Sequence, residues 1–483
     1  MQALICETVT GGDMAELLAS RDAVSSADLV ELRLDGVRDL DVAGALANRR
    51  LPVVVTCRAA WEGGRFDGAE ERRLAILREA ARLGAEFVDV EWRAARRADA
   101  GVPPERLVLS HHDFDGIPGD LADRVRAMRA ERPAVVKVAV RATRLADVRR
   151  LRDAVMSGDG PRHAAIAMGE AGLVTRVHPA LFGSSWTYAG AAAPGQRPAR
   201  ELRDIYRVGR TTAATSLYGV TGLPLTHSAS PAMHNAAFAA MGEDAVYAPL
   251  PSDDAGEVID VAGALHVRGL SVTAPLKAAL RARVSGADAL VEATGAVNTL
   301  RWGAGGLEGR NFDVEGFLAP LVRHGVRLDG RPAVVLGAGG AARAAAIALR
   351  GRGARVAVAA RRADRARALA DQLGVGATAW PPPPGWELLV HATPAGTWPR
   401  DDESPLGAEA LGGAWVYDLV YNPEETRLLR LARQAGAATI GGLDMLVAQA
   451  RLQIEWWTGR TMDETVLRQA ARNFLHTPQV TTR

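Results

Sequence analysis

Two lysines stand out in a chain whose other basic side chains are all arginine. Lys137 and Lys277 are the two lysines among 58 basic residues, so arginine supplies the other 56. An arginine guanidinium keeps its proton in proteins, whereas a lysine amine can lose it and act as a nucleophile or an acid/base. Each lysine is therefore a candidate catalytic residue, although two lysines could also remain by chance in so arginine-rich a sequence.

Lys137 lies in the apolar segment AVVKVAV, which has the pattern of a buried strand. Burial favours the neutral form of an amine, and a neutral amine can attack a ketone to form a Schiff base. Two other interpretations stay open: a structural ion pair with an acid such as Glu91, and an aldol cleavage that also uses a Schiff base. Nearby residue types favour catalysis, because His112 in SHHDF can move a proton and arginines can bind a carboxylate or hydroxyls. The arginines concerned are Arg33, Arg58 and Arg176.

The first 210 residues contain the elements that would position these groups. Short β-branched segments recur about every 25 residues, with helical patterns rich in Arg, Ala and Leu between them. The eight segments are ALICETV, LVELRLD, PVVVTCR, FVDVEW, RLVLSHHDF, AVVKVAV, HAAIAMG and SSWTYAG. Eight strand-helix repeats predict an α/β fold, specifically a closed (β/α)8 TIM barrel, in which catalytic groups lie at the C-terminal ends of the strands.

A second type of site is indicated further along the chain. LGAGGAAR follows the strand-like PAVV and opens a helical pattern, which is the context of a dinucleotide-binding turn, with Gly337 at the turn and Gly339 at the pyrophosphate. The next predicted strand ends in Arg361 and Arg362, with Arg365 close behind. An NAD enzyme normally carries an acid there, so these arginines favour the 2′-phosphate of NADP, unless they are ordinary surface arginines.

Composition excludes several classes of protein. A formal charge of +2 and 48% hydrophobic residues predict neither nucleic-acid nor membrane binding, and no apolar run approaches the ~20 residues that span a bilayer. Cys6 and Cys57 are too few for a disulfide framework, which favours a reducing, cytoplasmic location. The histidines are dispersed, so no metal site is expected.

Residues 1 to about 212 resemble type I 3-dehydroquinate dehydratase. The matching motifs occur in order as VELRLD, TCRAAWEGG, DVEW, SHHDF, VVKVAV, AMGEAGLVTR and APGQ. The resemblance implies that Lys137 forms the Schiff base, that His112 is the acid/base and that Glu62 orients this histidine. The substrate-binding residues it implies are Glu31, Arg33, Arg58, Arg176 and Gln196. One departure is Ala192, where the family commonly has serine, and it bears on turnover and substrate affinity.

Residues 216–480 resemble shikimate dehydrogenase. The motifs, again in order, are LTHSASPAMHN, SVTAPLK, GAVNT, GRNFDVEG, GAGGAAR, ATPAG, DLVYNP and GLDMLVAQA. The resemblance implies a catalytic pair of Lys277 and Asp313. The implied substrate-binding residues are Ser228 and Ser230 at the carboxylate and Thr273, Asn298, Tyr421 and Gln449 around the ring hydroxyls. The predicted cofactor-binding residues are Gly337, Gly339, Gly340, Ala341, Arg361, Arg362, Arg365, Thr393 and Gly442. Departures from the family pattern are Ser271, Phe312, Ala360 and Arg362.

The two resemblances describe consecutive reactions and cover nearly the whole chain. They predict a TIM barrel over residues 1–212, a substrate-binding domain over residues 213–316, completed by helices within 443–476, and a Rossmann NADP-binding domain over residues 317–442. The predicted enzyme converts 3-dehydroquinate to 3-dehydroshikimate and then to shikimate, as a monomer or homodimer. The alternatives are a quinate/shikimate dehydrogenase that uses NAD and a non-catalytic regulator that senses these metabolites.

Overall fold

Eight parallel strands form the N-terminal part of the protein, as the eight β-branched segments predict. The computed structural model describes residues 2–158 and 160–476. The strands are β1 (Leu4–Thr10), β2 (Leu29–Arg33), β3 (Val53–Thr56), β4 (Phe87–Glu91), β5 (Leu107–Asp113), β6 (Val135–Arg141), β7 (Arg162–Met168) and β8 (Trp186–Ala189). Neighbours from β1 to β7 pair in parallel, β8 pairs with β1, and a bridge between His163 and Ser184 closes the ring. The predicted TIM barrel is confirmed.

In the described residues, seven α-helices lie among and after these strands. They are α1 (Met14–Ala23), α2 (Val42–Leu46), α3 (Glu70–Arg82), α4 (Leu121–Ala130), α5 (Ala146–Met156), α6 (Val174–Val177) and α7 (Ala199–Asp204). Helix α5 buries Val148, Leu151 and Val155, which lie on one face at helical spacing. Alternation along the strands sends every second side chain inward. An apolar cluster fills part of the barrel interior, and buried charged residues lie toward the C-terminal ends of the strands.

The described residues divide into two units. The first contains the chain up to His227 together with Glu243–Val267, and the second contains Ser228–Gly242 and the chain from Arg268 onward. Besides the barrel, the first unit has the parallel pair β9 (Ser216–Gly222) and β10 (Ala245–Pro251). Between them in sequence comes α8 (Ser230–Met241) of the second unit, and after them α9 (Ala255–Ala264). The predicted domain boundaries stay predictions.

The first strand of the second unit is β11 (Gly269–Val272). The elements that follow are α10 (Lys277–Arg281), β12 (Gly286–Ala287), α11 (Ala289–Thr294), β13 (Thr299–Gly303), β14 (Gly306–Arg310) and α12 (Asp313–Arg323). Strands β11, β13 and β14 pair antiparallel, and β12 runs parallel to β14. Two C-terminal helices, α16 (Gly442–Thr458) and α17 (Glu464–His476), pack with α8 around a core that includes Met233, Val447 and Leu467.

A Rossmann domain lies within the second unit. Its elements are β15 (Pro332–Leu336), α13 (Gly340–Gly351), β16 (Arg355–Ala359), α14 (Ala363–Leu373), β17 (Gly376–Ala377), β18 (Leu388–His391), β19 (Trp415–Asp418), α15 (Arg427–Gln434) and β20 (Ala438–Ile440). The parallel sheet has the order β17-β16-β15-β18-β19-β20. Strands β16 and β17 are added on one side of β15, and β18, β19 and β20 on the other side. Ligands of such sheets bind beyond the carboxyl ends of the strands, at the point where the strand order changes side. None of the described helices is both long and apolar enough to cross a membrane.

Candidate active sites

Lys137 projects into the barrel from the middle of β6 and is 4% exposed. Its Nζ donates to Glu31 Oε1 at 2.9 Å and to Asp89 Oδ2 at 3.1 Å. The same nitrogen lies 4.1 Å from the centroid of the Tyr188 ring. Two carboxylates and an aromatic face thus hold the amine in one position near the mouth of the barrel.

The pairing of Lys137 with Glu91, one interpretation of the sequence, is wrong. Glu91 lies nearer the C-terminal end of β4, where its Oε2 accepts from Arg73 at 2.5 Å and its Oε1 lies 3.0 Å from an Arg58 nitrogen. Asp89, two residues earlier on the same face, contacts the lysine instead. Alternation identifies both acids as inward-facing, but the tilt of the strands decides which of them the amine reaches.

Asp89 anchors a buried network that the sequence patterns did not reveal. Its Oδ1 accepts from Arg58 at 2.8 Å and from Ser110 Oγ at 2.6 Å. Burial raises the pKa of Asp89, but the charges of Arg58 and Lys137 outweigh burial and lower this pKa to about 2. At Glu31 too, burial is outweighed by the charge of Lys137, and its pKa lies below the usual value. Both acids therefore remain ionised beside the amine.

His112 and Glu62 form the second part of the barrel site. Glu62 ends a short 3₁₀ turn after β3, and its Oε1 accepts from the His112 backbone N–H at 2.9 Å and contacts His112 Nδ1 at 3.0 Å. When Glu62 is ionised it can only accept, so Nδ1 then carries the hydrogen and Nε2 is the free base. Burial, with the charges of Arg58 and Lys137, holds the pKa of His112 well below its usual value, and burial raises the pKa of Glu62 to about 7.

Arg176 is a buried cation that forms no ion pair among the described residues. It is 1% exposed, donates to the backbone oxygens of Tyr188 at 3.0 Å and Pro194 at 3.2 Å, and its Nε has no partner in the described part of the chain. Burial lowers the pKa of Arg176 to about 10. A buried guanidinium without a counter-charge is costly, which indicates an anionic ligand here.

All predicted dehydratase residues line one pocket at the C-terminal ends of the strands. They are Glu31, Arg33, Arg58, Glu62, His112, Lys137, Arg176 and Gln196. Arg33 is held by Asp35 through two hydrogen bonds of 2.8 Å. Ala192 also lines the pocket, and Gln196 Oε1 accepts from the backbone N–H groups of Ala192 and Ala193. Gln196 thereby holds the backbone at Ala192, the position where the dehydratase family commonly has serine.

Lys277 and Asp313 begin helices α10 and α12 in the second unit. Lys277 Nζ donates to Asp313 Oδ2 at 2.6 Å, and the two side chains are 26% and 8% exposed, so the pair remains accessible to a small ligand. Asp313 Oδ1 accepts from Asn298 Nδ2 at 2.9 Å and from Gln449 Nε2. Four residues distant in sequence therefore meet at one carboxylate.

Further hydrogen bonds fix the orientation of Asn298. Its Oδ1 accepts from the Phe312 backbone N–H at 2.9 Å and from Thr299 Oγ1 at 2.8 Å, so its amide nitrogen must face the catalytic carboxylate. Gln453 donates to Thr299 Oγ1 at 2.9 Å and accepts from Ser271 Oγ at 2.9 Å. Ser271, a departure from the family pattern, is thus part of this network.

The other predicted substrate residues lie at the ends of their elements. Ser230 begins α8, and its backbone N–H donates to Ser228 Oγ at 3.3 Å. Tyr421, which follows β19, interacts with the backbone of Ala229 between these serines, and burial raises its pKa. Thr273 follows β11 and is half-buried, but no hydrogen bond among the described residues joins its side chain to the rest of the site.

The glycine-rich turn has the geometry that a dinucleotide phosphate requires. Gly337 has a φ of +121°, and a Cβ there would lie 2.8 Å from the Ala392 carbonyl oxygen. Gly339 caps the twelve-residue α13 without a side-chain hydrogen bond, which leaves the backbone N–H groups at Gly340 and Ala341 for an anion. A Cβ on Gly442 would lie 2.4 Å from the Leu419 carbonyl oxygen, so this position also requires glycine.

The arginines after β16 fit the phosphate group that distinguishes NADP. Arg361, Arg362 and Arg365 are all exposed, and in the described residues only Arg362 of the three pairs with an acid, Asp364, at 2.9 Å. Guanidinium groups at this strand end match a 2′-phosphate better than the ribose hydroxyls of NAD. Within the described residues, no cluster of His, Cys, Asp and Glu could hold a metal ion.

Three family models match parts of the chain. Residues 5–212 match the model described as type I 3-dehydroquinase, and residues 220–300 match the shikimate dehydrogenase substrate binding domain. Residues 442–472 match the shikimate 5′-dehydrogenase C-terminal domain. The three matches follow one another in the order in which the two sites occur.

Individual relatives extend these matches over the chain. The bifunctional 3-dehydroquinate dehydratase/shikimate dehydrogenase of Arabidopsis thaliana, described as chloroplastic, is 33% identical over 95% of this chain and 82% of its own length. The NADP⁺ shikimate dehydrogenase of Symbiobacterium thermophilum is 44% identical over 53% of this chain and 93% of its own. The crystal structure of the Thermus thermophilus shikimate 5-dehydrogenase with NADP(H) and shikimate has a TM-score of 0.51 and 39% identity, over 54% of this chain and 99% of that one. The chain therefore belongs to the family of bifunctional 3-dehydroquinate dehydratase/shikimate dehydrogenase enzymes.

Proposed function

We propose that this protein dehydrates 3-dehydroquinate to 3-dehydroshikimate in its barrel and reduces 3-dehydroshikimate to shikimate with NADPH in its second unit. The observation that carries the proposal is the pair of lysine-centred sites. One holds Lys137 between two carboxylates beside the His112–Glu62 pair, and the other joins Lys277 to Asp313.

In the proposed dehydration, His112 Nε2 takes a proton from the Lys137 ammonium, and the neutral Nζ attacks the C3 carbonyl of 3-dehydroquinate. The imidazolium returns this proton to the C3 hydroxyl, which leaves as water and gives an iminium ion. The iminium withdraws electrons and makes the adjacent C2 hydrogen acidic. His112 Nε2 removes this proton, the C1 hydroxyl leaves as water, and hydrolysis of the imine releases 3-dehydroshikimate and restores the lysine. The held position of the amine and the free Nε2 support these two roles.

Glu62 makes the dehydratase activity depend on pH. Its carboxyl, with a pKa raised to about 7 by burial, is neutral below this pH and ionised above it. Only the ionised form carries the negative charge that stabilises positive charge on the His112 ring, so the kcat of dehydration is expected to rise as pH increases through about 7. A pH profile checks this. In Glu62→Gln the rise should disappear and kcat should fall by at least about tenfold; an unchanged inflection would contradict the role of Glu62.

Arg176 is proposed to bind the carboxylate of 3-dehydroquinate. Arg176→Gln should raise the KM of dehydration by about 10- to 100-fold, since a hydrogen bond between charged groups contributes about 1.5 to 3 kcal/mol. The variant should unfold at the same or a higher temperature, because it removes an uncompensated buried charge. Steady-state kinetics and thermal unfolding test both expectations, and a KM equal to that of the wild type would contradict the assignment.

In the proposed reduction, bound NADPH supplies a hydride to the carbonyl carbon of 3-dehydroshikimate. Lys277 and Asp313 hold a proton beside the carbonyl oxygen, and Asn298 and Gln449 fix the carboxylate that orients the lysine. The Ser228–Ser230 segment is proposed to bind the substrate carboxylate, with Thr273 and Tyr421 near the ring hydroxyls. The glycine-rich turn and the arginines after β16 support NADP as the cofactor.

One coupled assay tests both activities. Purified protein with 3-dehydroquinate and NADPH should oxidise NADPH, and 3-dehydroshikimate with NADPH should react without the barrel step. Preferred oxidation of quinate with NAD⁺ would instead identify a quinate/shikimate dehydrogenase. Ligand binding without turnover of either substrate, with either nicotinamide cofactor, would identify a regulator.

The cellular setting is also a proposal. Cys6 and Cys57 are both buried free thiols, which is consistent with a reducing compartment, and we place the protein in the cytoplasm on this basis. The expected assembly is a monomer or a homodimer. Light scattering of the purified protein distinguishes the two.

A further inference from the structure

His391 and Asp418 form a buried pair at the C-terminal ends of β18 and β19 that the proposed mechanism does not use. The two residues are register partners, and both are fully buried. His391 Nδ1 lies 2.8 Å from Asp418 Oδ1. The carboxylate also accepts from the Val420 backbone N–H at 3.0 Å and, through Oδ2, from Thr426 Oγ1 at 2.6 Å.

The second nitrogen of the His391 imidazole contacts Thr393, one of the predicted cofactor-binding residues. His391 Nε2 lies 2.5 Å from Thr393 Oγ1. Because the Asp418 carboxylate only accepts, Nδ1 carries the ring hydrogen, and in this tautomer Nε2 accepts the hydrogen of the Thr393 hydroxyl. The hydroxyl oxygen in turn accepts from the Ala395 backbone N–H at 3.4 Å. The hydrogen bonds thus continue from the buried carboxylate to the loop after β18.

This loop lies directly against the glycine-rich turn. A Cβ on Gly337 would lie 3.3 Å from the Thr393 methyl carbon and 2.8 Å from the Ala392 carbonyl oxygen. Leu336, which precedes the turn, is the register partner of His391. The position of Thr393 therefore determines how closely the loop approaches the turn.

We propose that His391 and Asp418 are positioning residues for NADP, which act by holding Thr393 and the loop after β18 against the glycine-rich turn. The inference rests on the proposed dehydrogenase function, because it assigns the dinucleotide to this turn. Neither residue touches the cofactor, since both are fully buried. A buried polar pair is costly unless every member is satisfied, and here all four polar atoms have partners, of which the partner of Nε2, Thr393, lies in the loop.

A double-mutant cycle on NADPH binding tests the inference. The variants are His391→Asn, Thr393→Val and the double variant, with NADPH affinity measured by the fluorescence of the bound nucleotide, which needs no turnover. Each single variant should bind NADPH about five- to tenfold more weakly, as expected for one lost hydrogen bond, and the double variant should bind no more weakly than either single one. The KM for 3-dehydroshikimate and the dehydratase kcat should stay unchanged.

Two further measurements separate positioning from general destabilisation. His324→Asn, at an exposed histidine of the same unit, is the matched control and should bind NADPH like the wild type. The nitrogen NMR spectrum of His391 should show the hydrogen on Nδ1. Equal NADPH affinity in His391→Asn, independent losses in the double variant, or a hydrogen on Nε2 alone would each overturn the inference. A wild-type protein that fails to bind NADPH would overturn the proposed function instead.

Discussion

Lys137→Arg is expected to lower the kcat of dehydration by at least about 10⁴-fold and to leave the reduction of 3-dehydroshikimate unchanged. Arginine keeps the positive charge that Glu31 and Asp89 need, but its guanidinium cannot act as the nucleophile. The coupled assay measures the loss, since added 3-dehydroshikimate should restore NADPH oxidation. Restored oxidation would show that the second unit is intact and that the loss lies in the barrel.

Chemical trapping provides an independent test of Lys137. Borohydride reduction of the wild type during turnover should leave a stable mass increase on the peptide that contains Lys137, and the arginine variant should show none. Lys137→Met is the second control, because it removes the nucleophile and the charge together. It should also reduce stability, since buried Glu31 loses its ion-pair partner and Asp89 keeps only its pair with Arg58. Dehydration by Lys137→Arg at a rate near that of the wild type would refute the Schiff-base proposal.

Asp313→Asn is expected to reduce the kcat of the dehydrogenase by about 10²- to 10⁴-fold. The carboxylate accepts hydrogen bonds from Lys277, Asn298 and Gln449 at once. An asparagine amide offers one acceptor and two hydrogens in the same space, so at least one donor would face another donor and the lysine would lose its orientation. Steady-state kinetics with 3-dehydroshikimate measure the loss.

The controls for Asp313 lie within the same molecule. Asp371→Asn makes the same chemical change at an exposed position of α14 and should leave both activities unchanged. Dehydratase kcat and NADPH affinity in Asp313→Asn should match the wild type, because the barrel and the glycine-rich turn are untouched. Weaker NADPH binding with an unchanged kcat would assign Asp313 to the cofactor rather than to proton handling.

The strand pattern and the two lysines made much of this protein predictable. All eight β-branched segments of the first 210 residues form barrel strands, because alternation and β-branching are local properties of the chain. The glycine-rich segment opens α13 after β15 as predicted, since a turn with φ above zero needs glycine whatever surrounds it. Both lysines lie in pockets or pairs with other predicted site residues.

The partners of these residues were harder to predict. The sequence does not reveal that Asp89 contacts Ser110 and Lys137, because Asp89 and Glu91 lie in the same motif and both point inward. A single histidine in an apolar strand such as His391 is usually a core residue, and nothing in the sequence pairs it with Asp418. Only the parallel pairing of the two strands brings them within 2.8 Å.

The amino-acid order alone determines the fold class, the inward or outward direction of each strand residue, and the types of group available for catalysis, because these depend on local periodicity and side-chain chemistry. Only the tertiary structure decides which inward groups touch, because strand tilt, barrel closure and helix packing join residues that are far apart in sequence. Lys137 meets Glu31 across 106 positions, and Gln449 meets Asp313 across 136. Charge and burial in the barrel site then set the pKa values of Asp89, Glu62 and His112.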